Sequence, residues 1–304
     1  MSQRLFNPAL LLLIPALLLA GILWMNRERL MDRSAAHTAK LHHNLGKTAE
    51  NFVPHKALYD IRLIATHSGS QVVNISGQMF YQLERSCEGW VSDHRFNMFY
   101  EYADTPPVHI ASHFSTFEDF AGTQLLFSSQ RRQNGDVFEE IRGDAAIKPG
   151  QDGQVDYARP EHLSYKLARG TLFPVAHTSA VIQSIQNGET FYKATIFDGS
   201  DVEGPVEVNS FIGQETVSPL LSGPHENVDT ALLKSQARKV RLAFFPENSE
   251  EDTADYEMDL VFHENGIISD MTVEYDDFTI SQKLVALEEL PDECTARAHS
   301  LKAD

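Results

Sequence analysis

Ser200, His177 and either Asp198 or Asp201 are the side-chain types of a hydrolytic triad: a hydroxyl nucleophile, an imidazole base and an orienting carboxylate. Nothing in their spacing frames them for catalysis. Ser200 lies in the run Phe197-Asp198-Gly199-Ser200-Asp201 rather than in a Gly-x-Ser-x-Gly elbow. No sequence rule brings His177 within bonding reach of it. The same run, which ends at Gly204-Pro205, collects oxygen ligands of the kind calcium uses. Its spacing departs from the helix-loop-helix calcium loop. A tight turn whose Asp and Ser side chains bond nearby backbone amides is the expected role.

His109 and His113 form a His-x-x-x-His pair that would face one metal ion on a helix. Pro106-Pro107 and the intervening Ile110-Ala111-Ser112 favour strand or loop instead. In a strand the two rings share a face about 13 Å apart, too far for a single ion. His42-His43 fall in a polar stretch and are expected at the surface. There is no phosphate-binding glycine loop and no Cys-x-x-Cys. The expectation is a non-enzymatic protein with no catalytic residue, no metal site and no cofactor; its ligand-binding residues are not identifiable from sequence.

The two cysteines, Cys87 and Cys294, bracket most of the chain. Both follow an apolar N-terminal segment of the type that directs export. In an oxidising compartment they are most simply read as one disulfide tying the start of a domain to its end.

The composition is that of a soluble globular protein, 42% hydrophobic and 22% charged over 304 residues. A chain of this size buries about three quarters of its unfolded surface, enough for a sizeable core. The net charge of −18 argues against nucleic acid and against anionic lipid surfaces. Residues 1–25 read as a signal peptide or an N-terminal membrane anchor. The apolar run is interrupted by Asn7, Pro8 and Pro15 and followed by Arg27, Arg29 and Arg33. Ala20-Gly21 is a passable cleavage site. Residues 26–53 read as a linker or a short exposed helix.

From Leu58 onward, short apolar runs alternate with Gly, Asn, Asp or Pro, the pattern of an all-β protein. Tyr59, Ile61 and Leu63 alternate with polar partners, as do Phe96, Met98, Tyr100 and Tyr102. Asn134-Gly135 and Asn265-Gly266 mark hairpins, because Asn-Gly supplies the positive φ angles of tight primed turns. One short helix is expected around Val181, Ile182 and Ile185, capped by His177-Thr178-Ser179 and stopped at Asn187-Gly188. A weaker helix is expected near Leu284 to Leu290. Asn248 to Asp255 reads as a solvated acidic loop. The aromatic stripes, including Phe191, Phe197, Phe211, Phe244 and Phe245, are expected in the core or lining an apolar cavity. The domain reading is one β-rich unit over residues 54–295, with a tail at 296–304.

Cys87-Glu88-Gly89-Trp90, Gly170-Thr171-Leu172-Phe173-Pro174-Val175-Ala176-His177, Asp198-Gly199-Ser200-Asp201, Phe211-Ile212-Gly213 and Cys294 occur in this order. Together with Phe117-Glu118, Asn265-Gly266 and Asp277-Phe278 ahead of Lys283-Leu284, they resemble the cell-envelope integrity protein B (EipB) family of α-proteobacterial periplasmic proteins. The resemblance runs from about His55 to Cys294. It implies a mainly antiparallel, spiral-like open β-barrel closed by a disulfide between Cys87 and Cys294. It also implies a periplasmic role in envelope integrity and stress tolerance, with an envelope protein or peptide as the expected partner. The implied fold is similar to the half-barrels of periplasmic lipoprotein carriers and sensors. The alternative is therefore a carrier or sensor of lipoprotein or acyl chains in an apolar barrel cavity. Nucleic acid is not an expected partner, and membrane contact is expected at most through the N-terminal segment.

Overall fold

The computed structural model describes residues 44–148, 150–223, 225–246, 253–292 and 294. The leader, His42-His43, most of the acidic loop at Asn248 and the tail after Cys294 lie outside the described residues.

Among the described residues, fourteen strands form one sheet. The first eight are β1 (His55–Thr66), β2 (Val72–Arg85), β3 (Gly89–Tyr102), β4 (Val108–Asp119), β5 (Gln124–Gln133), β6 (Asp136–Ala146), β7 (Gly153–Arg159) and β8 (Ser164–Leu167). The remaining six are β9 (Phe191–Ile196), β10 (Val206–Thr216), β11 (Ala237–Pro246), β12 (Tyr256–His263), β13 (Ile268–Tyr275) and β14 (Phe278–Glu289). The spatial order runs from β8 back to β1, then from β14 back to β9. Every neighbour pair is antiparallel. Two meanders are thus joined at one seam, where β1 pairs with β14 from His55 opposite Glu289 to Thr66 opposite Phe278.

The sheet is not closed by strand pairing; its edges are β8 and β9. It curls instead, so that its ends overlap. The chain leaving β8 passes over the β9 edge, where the Leu172 amide donates to the Thr195 carbonyl at 2.9 Å. The Phe197 amide donates back to the Leu172 carbonyl at 3.0 Å. Beyond β9, Phe197 packs with Phe127 of β5 and with Tyr165 of β8. Arg131 donates to the Ser200 carbonyl at 3.2 Å, and the Tyr157 hydroxyl donates to the Asp201 carbonyl at 2.9 Å. The Asp198-Gly199-Ser200-Asp201 turn is therefore the clip that seats one end of the spiral on the other. Gly199 is the tight point: its φ is +74°, and a Cβ there would lie 2.2 Å from Cγ of Phe127.

Strand alternation builds the interior as expected. Tyr59 and Ile61 are buried, and Phe96, Tyr100 and Tyr102 pack against the same core. The Asn134-Gly135 turn has φ of 52° and 96°, the left-handed pair of a tight hairpin, and leaves β5 and β6 longer than the apolar pattern alone suggests. The segment near Leu284 is strand β14 and not a helix. Its partners β1 and β13 supply ladder bonds that override local helix propensity.

Residues 44–49 form a helix, α1, with Leu45 and Ala49 buried. This end of the polar N-terminal stretch packs instead of standing in solvent. The central helix, α2 (Pro174–Gln186), begins one turn earlier than the His177-Thr178-Ser179 cap predicts. Pro174 sets the first helical φ and carries no N–H to satisfy, which moves the start upstream. Phe191 and Phe211 pack against each other at a tilt, with ring centres 5.2 Å apart, but are 47% exposed. The pleat turns them away from the barrel interior, at the edge of the sheet, rather than into the core.

Cys87, in the β2–β3 turn, is bonded to Cys294, with Cα atoms 5.0 Å apart across a separation of 207 positions. The chain-entropy model gives about 5 kcal/mol for restricting so long a loop. Cys87→Ser should therefore lower Tm by about 5–15 °C in oxidising buffer, and reduced wild type should melt with the variant. Gly199→Ala should cost about 1–3 kcal/mol in urea denaturation, since it strains the turn and collides with Phe127. A neutral Gly199→Ala would refute the clip.

Candidate functional site

The concave face of β1–β3 and β12–β14 is wider than its own side chains can fill. α2 covers part of it, with Val181, Ile182 and Ile185 entering the main core cluster. Its Phe173 N-cap provides no side-chain acceptor for the first amides. A residue far away in sequence does so. Glu118, at the end of β4, accepts from the Val175 amide at 2.7 Å and the Ala176 amide at 2.8 Å. A carboxylate at a helix N-terminus is favoured by the unpaired amides and the helix dipole. Glu118 is nevertheless 1% exposed, and burial pushes its carboxyl up to about 8 against the pull of those two bonds.

Beneath α2 lies a cavity of about 400 Å³. Its walls are mostly apolar, with Met79, Met258 and Met271 beside Phe96, Phe262 and Val273. Polar groups are few. The Tyr59 hydroxyl donates to the Ile268 carbonyl at 2.7 Å, and Ser92 shares a 2.7 Å bond with Thr116. His94 meets Tyr81 edge-on with ring centres 4.7 Å apart, and burial depresses its imidazole to about 4 despite nearby Asp93. Gln282, 5% exposed, is among the lining residues, and its Oε1 is buried without a hydrogen-bond partner. No Asp, Glu, Lys or Arg is among the cavity's lining residues.

The residues singled out for chemistry do not converge. His177 is buried in α2, stacks on Tyr192 at 6.3 Å and is held down at about 4 by burial. Ser200 lies in the clip, where its amide donates to the Asp198 Oδ1 at 2.8 Å, and among the described residues no hydrogen bond joins it to His177. Asp201 accepts from the Glu203 amide at 2.8 Å, as expected of a turn. His109 and His113 both lie on β4, but each turns to a different residue of β3. His109 pairs with Asn97 and His113 with Asp93 at 2.7 Å. Sequence reasoning missed Glu118 and the cavity polar groups. Glu118 stands in a Phe117-Glu118 pair with no local sign that a helix start would reach it.

A family model described as EipB-like matches residues 46–291. The cell envelope integrity protein EipB of Brucella abortus (strain 2308) is 29% identical over 244 residues, covering 79% of this chain and 85% of the relative. A crystal structure of a beta-barrel-like protein of domain of unknown function DUF1849, from Brucella abortus, superposes with a TM-score of 0.73 at 28% identity. It covers 79% of this chain and 99% of the other.

The Glu118 carboxyl, raised from 4.5 to about 8, contributes stability that is full below pH about 4.5 and is lost as pH rises toward about 8. His94 and His177, lowered from 6.5 to about 4, act in the opposite sense: their contribution is full above pH 6.5 and lost as pH falls toward about 4. Glu118→Gln keeps one acceptor but sets an N–H against the other amide, so it should be less stable at pH 5. Its deficit should narrow as pH rises to 8, read from urea midpoints of both proteins. Parallel pH profiles would refute the assignment.

Proposed function

The chain belongs to the EipB-like family, and from that membership we propose that it works in the periplasm to maintain envelope integrity and stress tolerance, without catalysis, by binding another envelope component. The observation that carries binding over chemistry is the cavity: an apolar chamber of about 400 Å³ with no charged lining residue. Pockets that hold ligands are typically about 300–1,000 Å³, mostly apolar, with a few placed polar groups. Catalytic sites instead bring titratable groups into mutual reach. Ser200, His177 and the aspartates lie outside the cavity lining and are not joined into a relay. The relative's name supports the envelope role, and the long-range disulfide suits an oxidising compartment.

The first reading of the partner is a protein or peptide of the envelope. A second reading, carriage of an acyl chain, is favoured by the methionine-rich and aromatic cavity walls. A photoreactive residue at Thr178, on the cavity rim, should form adducts with an envelope component in intact cells. Met258→Trp, which fills the chamber, should remove them. A Ser200→Ala variant should restore envelope stress tolerance to a deletion strain in full. The proposal fails if the purified protein turns over an ester, glycan or peptide and Ser200→Ala abolishes that turnover.

A further inference from the structure

We infer that the end of the barrel away from α2 seats a lysine or arginine side chain of a peptide whose neighbouring apolar residues enter the chamber. This rests on the binding reading above and gives the peptide its chemistry.

The chamber lining runs from Phe52, Pro174 and Gly266 at one end to Tyr256 and Tyr275 at the other. Beyond it a row of rings continues in contact. Phe244 stacks on Tyr256 with ring centres 4.3 Å apart, Tyr256 meets Tyr275 at 5.7 Å, and Tyr275 meets Phe278 at 4.9 Å. Phe278 then meets Tyr100 of β3 at 6.5 Å, although β1 and β2 stand between their strands in the sheet. Each of these residues is half-buried. An aromatic face attracts a cation placed within about 6 Å of the ring centre. Elsewhere in the molecule such faces hold one: Arg85 lies over Trp90 and Phe120, and Arg95 over Phe80. Among the described residues no lysine or arginine lies over this row.

The charge around the row is negative. None of the described turns at this end (67–71, 103–107, 134–135, 160–163, 197–205 and 276–277) contains Lys or Arg. Asp276 and Asp277 join Tyr275 directly to Phe278. Burial raises the Tyr256 hydroxyl above its ordinary value, and the fields of Asp198, Tyr275, Asp201 and Asp255 raise it further. Among the described residues no ion pair engages the carboxylates of Asp198, Asp201, Asp276 or Asp277. The Arg131 guanidinium is held by the Ser200 carbonyl and by Glu139. Unbalanced carboxylates beside aromatic faces complement a basic side chain and repel an acidic one. The chamber behind Tyr256 and Tyr275 has no charged lining residue, so it suits the apolar neighbours of that side chain and not a second charge.

The purified protein would be titrated calorimetrically with capped hexapeptides containing Arg-Leu-Val-Leu, with citrulline or glutamate in place of the arginine, or with Gly-Ser-Gly in place of Leu-Val-Leu. The arginine peptide should bind at least about fivefold tighter than the citrulline peptide, and the glutamate peptide should bind weakest. Raising salt from about 0.05 to 0.5 M should remove most of that preference. The double variant Asp276→Asn, Asp277→Asn lies in an exposed turn and should keep its Tm, while its preference for arginine falls to about twofold or less. Tyr275→Leu, which removes a ring from the row, should lower the preference in the same way. Equal binding of the arginine and citrulline peptides, or a preference unchanged in the double variant, would overturn the inference. So would full affinity of the Gly-Ser-Gly peptide, or lysophosphatidylcholine below its micelle concentration binding as tightly as the arginine peptide. If no peptide binds while the envelope adducts at Thr178 persist, this inference falls and the broader binding reading stands.

Discussion

The pairing of β1 with β14 is the contact on which the rest of the structure depends. Without it the chain is two separate meanders, each with a long apolar face and nothing to close against. Strand pairing is additive along a ladder, and this ladder runs from His55 opposite Glu289 to Thr66 opposite Phe278. Its bulges between Leu58 and Tyr59 and between Leu63 and Ala65 increase the local bend, as bulges do, at the place where the sheet must curl. The Cys87–Cys294 bond lies just past the end of β14 and holds the same two regions together covalently.

A curled sheet still has two unpaired edges and a concave face to fill. Unpaired edges invite pairing with other chains, and the spiral answers this by covering one edge with its own chain at Leu172. The concave face is filled in part by α2, and α2 is fixed by a side chain of β4 and not by its own cap. The Glu118 carboxyl thus serves two ends: it satisfies the helix amides, and it occupies the helix N-terminus where an anion would otherwise be welcome. What remains unfilled is apolar and uncharged, and that sets the chemistry of anything that enters.

Most of the architecture was legible in the sequence because its determinants are local. Period-two alternation at Tyr59, Ile61 and Leu63 shows which face is buried, and Asn-Gly dipeptides place two hairpin turns. The two cysteines, bonded as read, place the ends of the domain side by side. The helix start was misplaced because the residue that caps it, Glu118, is 57 positions from Val175. The segment at Leu284 reads as weakly helical because its strand identity comes from partners distant in sequence. Phe191 and Phe211 illustrate the same limit: aromatic spacing marks a strand, but which face looks inward depends on the curl of the whole sheet. The cavity was anticipated only as a permissive idea, since the void is the residue of how two meanders and a helix fit.

The seam has a consequence for the order of events in biosynthesis. β1 has β2 on one side, but its other neighbour is the last strand to be made. A nascent chain therefore carries an open β1 edge, and an uncovered concave face, until β14 has emerged and doubled back over more than half the sequence. Contacts of such high sequence separation form slowly, and exposed edges are where partly made β proteins go astray. Completion of the sheet is thus coupled to completion of the chain. A truncated product would lack the interior as well as the seam.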